Sequence, residues 1–459
     1  CYGVYRRVDR LRDGQDDWFD RLDDLPGRIV SSARIVLSNR KLFDRDTVGG
    51  LMHAFILWGF LTLLIGTTIL AIDMDIYRPL TGLAGREQSF FVGDFYLSYS
   101  LVMDAMGLLF VVGVGIALYR RYAARKWRLW GKHTNVEDDL FLWALFFLGV
   151  GGYLAEGVRI LGTGFPSFET VSFVGWFVAD VLALAGVSQS AAATIYPVVW
   201  WSHALLALAF VAAIPYSKPF HMLSSYVNIV ARDEKAGARL PGIPADLEAD
   251  TGAESVDSFS WKEMLDQDAC TKCGRCSSAC PANASGRNLD PRNVILDLKQ
   301  YREQVDAGDT ETVDIVADGG DSVIEAETME SCMACMACMD ACPVDIEHLK
   351  SFTRMNRQLT DTGQVDSNIQ DMFDNVMMMG NTFGDPPDER AAWADDLEFD
   401  LTDAREDEVE YLWYVGDYPS YDERNKTVAR SLAKLLERAD VEYGILFEDE
   451  KYDGNDIRR

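Results

Sequence analysis

One cysteine pattern, written twice, constrains this chain more than any other feature. The first copy runs Cys270-Thr-Lys-Cys273-Gly-Arg-Cys276-Ser-Ser-Ala-Cys280-Pro281. The second runs Cys332-Met-Ala-Cys335-Met-Ala-Cys338-Met-Asp-Ala-Cys342-Pro343. Both read C-x2-C-x2-C-x3-C-P, the run whose thiolates hold [4Fe–4S] clusters. Three closely spaced cysteines wrap one face of a cube, and the fourth swings away to the other cluster. The expected sets are therefore Cys270, Cys273, Cys276 and Cys342 for one cluster, and Cys332, Cys335, Cys338 and Cys280 for the other. Structural zinc usually takes two ligand pairs rather than two runs of four. Eight of the nine cysteines are used here, which argues against a disulfide framework.

The chain of 459 residues has room for two or three domains. Its net charge of −29 argues against nucleic acid as a partner, because phosphate binding needs basic patches. The acid lies in a soluble half of ordinary apolar content, so disorder does not account for it. An acidic solvated surface of the halophilic kind fits the composition.

Residues 47–230 form a second, apolar unit. Four segments there reach spanning length, about 20 apolar residues each: 48–72, 95–119, 139–161 and 195–216. A fifth run, 171–186, is short and carries Asp180, so it reads as an interfacial helix on the far side. Basic residues fill the first 46 positions and Arg120 to Arg128, whereas the loops at 73–94 and 162–194 carry few. That bias places the N-terminal region, the middle loop and everything after Lys218 in the cytoplasm.

The rest divides as follows. Residues 1–46 are polar, with an amphipathic run from Leu25 to Leu42 suited to a membrane surface. A Pro/Gly/acid linker covers 231–257, and the double-cluster domain covers 258–355. Inside that domain a helix spans Pro291 to Gln304 and an acidic loop follows. In 356–459 come helix, a Gly/Pro break at 380–387, and a strand at Tyr411–Gly416. A helix at Asn425–Ala439 and a strand at Val441–Phe447 complete the opening of a βαβ unit.

Five histidines occur, and three border or enter the spans. His53 and His221 share the cytoplasmic depth and are candidate axial ligands of a b-type haem. The alternative makes His53 a helix–helix hydrogen bonder and His221 a headgroup contact. His203 lies in the outer half of the last span, eighteen positions before His221. On an unbroken helix the two share a face about 27 Å apart, which fits two haems at different depths. An outer haem at His203 would need Met74 or Met103 opposite it, or remain five-coordinate; this second site is open. Asp104, Glu156 and Arg159 also lie within spans. Glu156 and Arg159 share a face and serve quinol protons, a haem propionate, or helix packing alone.

The membrane half resembles the haem b gamma subunit of respiratory nitrate reductase and the membrane subunits of heterodisulfide reductases. The carrying residues are Leu51-Met-His53-Ala-Phe, Gly152-Tyr-Leu-Ala-Glu156-Gly-Val-Arg159, Trp200-Trp-Ser-His203 and Pro215-Tyr-Ser-Lys-Pro-Phe-His221. The cluster half is similar to the double-cubane domain of the heterodisulfide reductase group, down to Cys342-Pro-Val-Asp-Ile-Glu-His348. Tyr414 to Asn425 and Gly454 to Arg459 resemble the start of that group's cysteine-rich domain. The family has five spans against four here, so the resemblance implies a span before Cys1. It also implies a second histidine on the His53 helix, which is lacking, and a cysteine where Asp417 stands. The expectation is a chain truncated at both ends, with Cys1 following missing sequence rather than carrying a lipid.

The fold expected is a membrane all-α bundle, an α-helical double-[4Fe–4S] ferredoxin-like domain and a partial α/β C-terminal region. The resemblance implies electron transfer between a cytoplasmic redox protein and menaquinone. The partner would be an electron-transfer flavoprotein or a dehydrogenase subunit, and the role that of an electron-transfer flavoprotein:menaquinone oxidoreductase. Two other readings are a relay subunit with no substrate site and a redox-sensing membrane module. No catalytic residue is singled out, and the direction of flow is not readable.

Overall fold

The computed structural model describes residues 2–17, 19–83, 85, 88–239, 242, 251–309 and 311–454. Among the described residues four helices are long and apolar enough to cross a bilayer: Thr47–Leu83, Gly93–Ala123, Val136–Gly162 and Gln189–Tyr216. Each begins where the sequence offers an oxygen for orphan amide groups or a break in the helical backbone. Asp46 accepts from Gly49 N at 2.9 Å at the head of the first span. Asn135 and Asp138 form a capping box on the third, and Ser188 caps the fourth. Val198, Leu205 and Leu208 on the fourth span are each more than half exposed, an apolar surface that only a bilayer would satisfy.

Small residues bring the spans together, as expected where lipid removes the hydrophobic drive between helices. A Cβ on Gly59 would lie 2.6 Å from Phe110, and one on Gly162 would lie 2.9 Å from the Ala193 backbone. The short apolar run forms helix Phe173–Leu184, packed on the second and third spans. Asp104 of the second span accepts from Val174 N at 2.9 Å and Gly175 N at 3.0 Å, capping that helix from outside.

One expectation fails at the cytoplasmic end of the fourth span. The helix stops at Ala213, and two 3-10 turns, Ile214–Tyr216 and Lys218–Phe220, intervene before helix His221–Val230. Pro215 and Pro219 cannot continue an α-helix ladder, and Ser217 is extended at φ −143°. His203 and His221 therefore do not lie on one continuous helix.

The cluster domain is built on helices Trp261–Ala269, Pro291–Ala307 and His348–Asp361, whose Met264, Leu298, Phe352 and Met355 form its core. The expected acidic loop after Pro291–Ala307 instead holds a parallel pair, β1 (Asp314–Ala317) and β2 (Ser322–Glu325), with Asp314 opposite Ser322. Gly319 and Gly320, both at positive φ, turn the chain between them.

The N-terminal segment is part of this domain rather than only a membrane-surface strip. Gln15 bridges Ser260, with Gln15 N donating to Phe259 O and Trp261 N to Gln15 O, both at 3.0 Å. Arg21, 2 % exposed, forks onto Glu347 at 2.9 and 3.0 Å and reaches Asp17 at 2.6 Å. Lys350 and Lys262 join Glu347 at 2.6 and 3.7 Å. Of the expected linker, Leu240, Pro241 and 243–250 lie outside the described residues, while Asp233 is buried against Arg239 and Lys350.

The C-terminal region carries a small parallel sheet, β3 (Thr402–Asp403), β5 (Tyr443–Ile445) and β4 (Tyr411–Leu412) in that order. Helix Glu423–Arg438 makes the crossover that parallel strands need. It buries Ala429 and Ala433 against Trp393.

Candidate electron-transfer site

The two cysteine runs fold into the same backbone. Lys272 (φ 58°) and Gly274 (φ 68°) take left-handed conformations in the first, and Ala334 (φ 51°) and Met336 (φ 64°) take them at the matching positions of the second. Three of these four are not glycine, and holding each there costs about 1–2 kcal/mol. Strain repeated at equivalent positions marks a shape that the site needs. It aims the Lys272 amide at Cys270 sulfur and the Ala334 amide at Cys332 sulfur. Short helices Arg275–Ala279 and Ala337–Ala341 follow, and each ends at an extended cysteine before proline.

The sulfurs gather in the crossed sets. Cys276 lies within electrostatic reach of Cys273, Cys270 and Cys342, and of Asp290. Cys338 lies within the same reach of Cys332, Cys280 and Cys335. A cavity lined by Cys280, Cys332, Cys335 and Cys338 is walled by Leu289, Leu349 and Phe352. Burial pushes the Cys270 thiol up to about 11 and the Cys338 thiol up to about 12. Such thiols ionise readily only against bound positive charge, and iron supplies it. Ile346 N donates to Cys342 Sγ at 3.4 Å, the kind of amide contact that tunes an iron–sulfur centre. Among the described residues no three His, Cys, Asp or Glu side chains converge on a single ion.

The first loop is sealed against the membrane half. Arg128 Nη1 donates to Cys273 O at 2.6 Å, and Lys272 Nζ to His133 O at 3.2 Å. A Cβ on Gly274 would lie 2.3 Å from Arg128 O, so this position requires glycine for close approach as well as for φ. Asp46, which caps the first span, takes Arg128 at 2.6 Å and also Arg120. Burial would raise Asp46, but the Arg120 and Gly49 hydrogen bonds and the two guanidinium charges hold it down at about 2.

His53 and His221 stand near one another at this boundary. His53 Nδ1 lies 2.8 Å from Asn39 Oδ1, and His221 Nδ1 lies 2.8 Å from Lys218 O. With Nδ1–H donating to those oxygens, Nε2 of both rings is left for a metal, the usual arrangement of a ligating imidazole. Burial pushes His221 down to about 4, which keeps its ring neutral. The donor set thus fits a haem iron held by two imidazoles. Nothing in the sequence marked Asn39 as the orienting group, because it acts across a corner between helices Leu25–Ser38 and Arg40–Phe43.

His203 lies apart, against Gly151 and Gly152 of the third span, with a buried Nδ1 that has no partner. The Met103 sulfur packs instead on Gly66 of the first span, and Met74 is about half exposed. In the outer polar group Arg159 pairs mainly with Glu169, with Nη2 at 2.9 Å from Oε2, and lies 3.9 Å from Glu156. Tyr96 donates to Glu169 at 2.7 Å. The sequence pairing of Glu156 with Arg159 missed Glu169 because that residue comes from a loop turned back onto the span. Asp417 is buried, bonded to Arg390 at 2.6 Å and to Thr382 N at 2.7 Å.

A family model described as a 4Fe–4S dicluster domain matches residues 269–347. An EtfAB:quinone oxidoreductase of Syntrophomonas wolfei is 30% identical over 452 residues, covering 90% of this chain and 61% of that protein. The probable iron-sulfur-binding oxidoreductase FadF of Bacillus subtilis is 29% identical over 504 residues, covering 100% of this chain and 68% of the relative. A probable membrane-anchored ferredoxin of Chromohalobacter salexigens is 33% identical over 310 residues, 62% of this chain and 44% of the relative. The chain thus spans about three fifths of the length of the first of these relatives. No solved structure matches it.

Proposed function

We propose that this chain, a homologue of bacterial iron–sulfur oxidoreductases with a 4Fe–4S dicluster domain of its own, carries electrons between a soluble redox partner and the quinone pool. Bound here, two [4Fe–4S] clusters and a b-type haem would each take one electron at a time, which divides the two-electron chemistry of a quinone into separate steps. Cys270, Cys273, Cys276 and Cys342 hold the inner cluster, and Cys332, Cys335, Cys338 and Cys280 the outer one. His53 and His221 hold the haem, with Asn39 and the Lys218 carbonyl fixing their rings. His203, Glu156 and Arg159 remain candidates for an outer haem or for quinol protons. The basic loops support a cytoplasmic position for the cluster domain. Menaquinone and an electron-transfer flavoprotein are the partners that fit the relatives' chemistry.

The observation that carries this reading is the contact of the first cysteine loop with the membrane half. Arg128 holds Cys273, and Arg275 of the same loop acts electrostatically on His53. These contacts support an iron–sulfur site beside a pair of imidazoles at the membrane half. A relay subunit without a substrate site is the second reading, favoured by Asp417. Its carboxylate is bonded to Arg390 and Thr382 where the resemblance implies a cysteine.

The test is a reduced-minus-oxidised optical spectrum with EPR of the purified protein, given menaquinol or reduced flavoprotein in turn. A b-type band and two cluster signals are expected. Absence of the haem band, or a haem kept at full occupancy in His221→Ala, would refute the membrane half of the proposal. Reduction by flavoprotein alone supports flow toward the quinone, and reduction by quinol alone the reverse.

A further inference from the structure

The corner that orients His53 also holds a guanidinium that, among the described residues, bonds to a backbone carbonyl and to no carboxylate. Arg275 is 7 % exposed and donates from Nη2 to Leu42 O at 3.1 Å, three residues along from Asn39, the partner of His53. Its Nη1 is buried without a hydrogen-bond partner among the described residues. The charged groups around it are the Cys273 thiol, Arg128, Arg120 and Asp46. Arg120 and Arg128 both bind Asp46, so three guanidiniums share one carboxylate. Buried cations are ordinarily paired. An excess of this kind, with a free donor beside a metal-binding histidine, describes a site for an anion that is carried by the metal's own cofactor.

We infer that Arg275, supported by Arg120 and Arg128, is a carboxylate-binding site that takes a propionate of the haem between His53 and His221. This rests on the haem reading above. The planar guanidinium suits a carboxylate, which it can grip through two parallel N–H bonds. The chemistry could also suit an anionic lipid headgroup. The site favours the cofactor because Arg275 is enclosed between the first cysteine loop and the corner 39–42 rather than on the bilayer-facing surface. The same residue spaces the two redox sites. It stands between Cys273 and Cys276 in sequence, on the inner cluster's loop, and reaches toward the haem.

The experiment is an optical redox titration of the haem at several pH values, using the full chain as wild type, Arg275→Gln and Arg275→Lys. Cluster EPR and haem content are read on the same samples. Loss of a positive charge beside the haem favours the ferric form. In Arg275→Gln the reduced-to-oxidised ratio at fixed ambient potential should fall about tenfold, about 59 mV for one electron. The potential should also become more pH-dependent near neutrality, because the released propionate titrates. Arg275→Lys should restore most of the shift but not the flat pH profile. A haem potential that does not move in Arg275→Gln overturns the inference, and so does a shift confined to the cluster signals. Loss of bound phospholipid with an unmoved haem assigns the site to lipid and also overturns it. A wild type without haem removes the function reading itself, and this inference with it. Should Arg275→Gln fail to fold, a smaller shift of the same sign in Arg275→Lys upholds the inference and no shift overturns it.

Discussion

The two cysteine loops have one backbone and two environments, and the contrast assigns them different tasks. In the first, Gly274 sits under the Arg128 carbonyl, and the loop is closed against the membrane half. In the second, Met336 occupies the same left-handed position and lines an open cleft of about 930 Å³ with Met339, Lys41 and Arg45. Cys335 is exposed and Met333 is 70 % exposed, whereas every cysteine of the first set is at least partly covered. Equal backbone with unequal cover gives an inner loop closed against Arg128 and an outer loop beside an open cleft. The asymmetry comes from what packs on each loop.

Breaking the crossed sets gives the largest effect. Cys342→Ser should remove the inner cluster although the residue belongs to the second run, and Cys280→Ser should remove the outer one. Iron content and EPR of each variant check this, and loss of the cluster belonging to the residue's own run would undo the comparison. Next comes the frame common to both loops. Glu347→Ala leaves Arg21, Lys262 and Lys350 buried without their shared carboxylate. It should cost about 3–5 kcal/mol in denaturant unfolding, as removal of one partner from a buried ion pair does.

A pH effect of similar size bears on the same frame. Burial lowers His348 to about 4, against about 6.5 unfolded. As the pH falls, the unfolded chain takes up this proton first. Stability is therefore full above about pH 6.5 and lost progressively toward pH 4, on the order of 3 kcal/mol in all. A His348→Phe variant should lose that part of the slope.

The smaller effects sharpen the asymmetry itself. Gly274→Ala meets both positive φ and the Arg128 carbonyl, so it should destabilise by about 2–4 kcal/mol and loosen the inner cluster. Met336→Gly has no such neighbour and relieves the left-handed strain. It should be neutral or stabilising by up to about 1 kcal/mol. Opposite signs for this matched pair are the finest test of the contrast between the loops, and equal signs would defeat it. Thermal unfolding measures both.

Much of the molecule was legible from residues alone. The spacing of eight cysteines grouped in advance the sulfurs that the fold brings together, Cys276 with Cys270, Cys273 and Cys342, and Cys338 with Cys332, Cys335 and Cys280, because a cube's geometry admits few ways to wrap it. Four apolar runs determined the spans, because the bilayer thickness fixes their length. The motif at Tyr411–Phe447 was read as strand, helix and strand, and the parallel β4–β5 pair bears that out. These features are written in local order, where spacing and periodicity speak.

What only the tertiary structure decided lies in contacts between distant segments. Sequence read the run from Leu25 to Leu42 as suited to a membrane surface, but Arg21, just before it, meets Glu347 across 326 positions. It paired Glu156 with Arg159, but Glu169 is the stronger partner of Arg159. His221 was legible as a histidine near a span, whereas its freedom from the His203 helix depends on Pro215 and Pro219 turning the chain. The two cysteine runs are nearly alike in sequence. One is inner and one outer because Arg128, 145 positions away, closes on Cys273 and has no counterpart on Cys335 among the described residues. A repeat fixes its own backbone through local sterics, but what covers it is set by segments far along the chain.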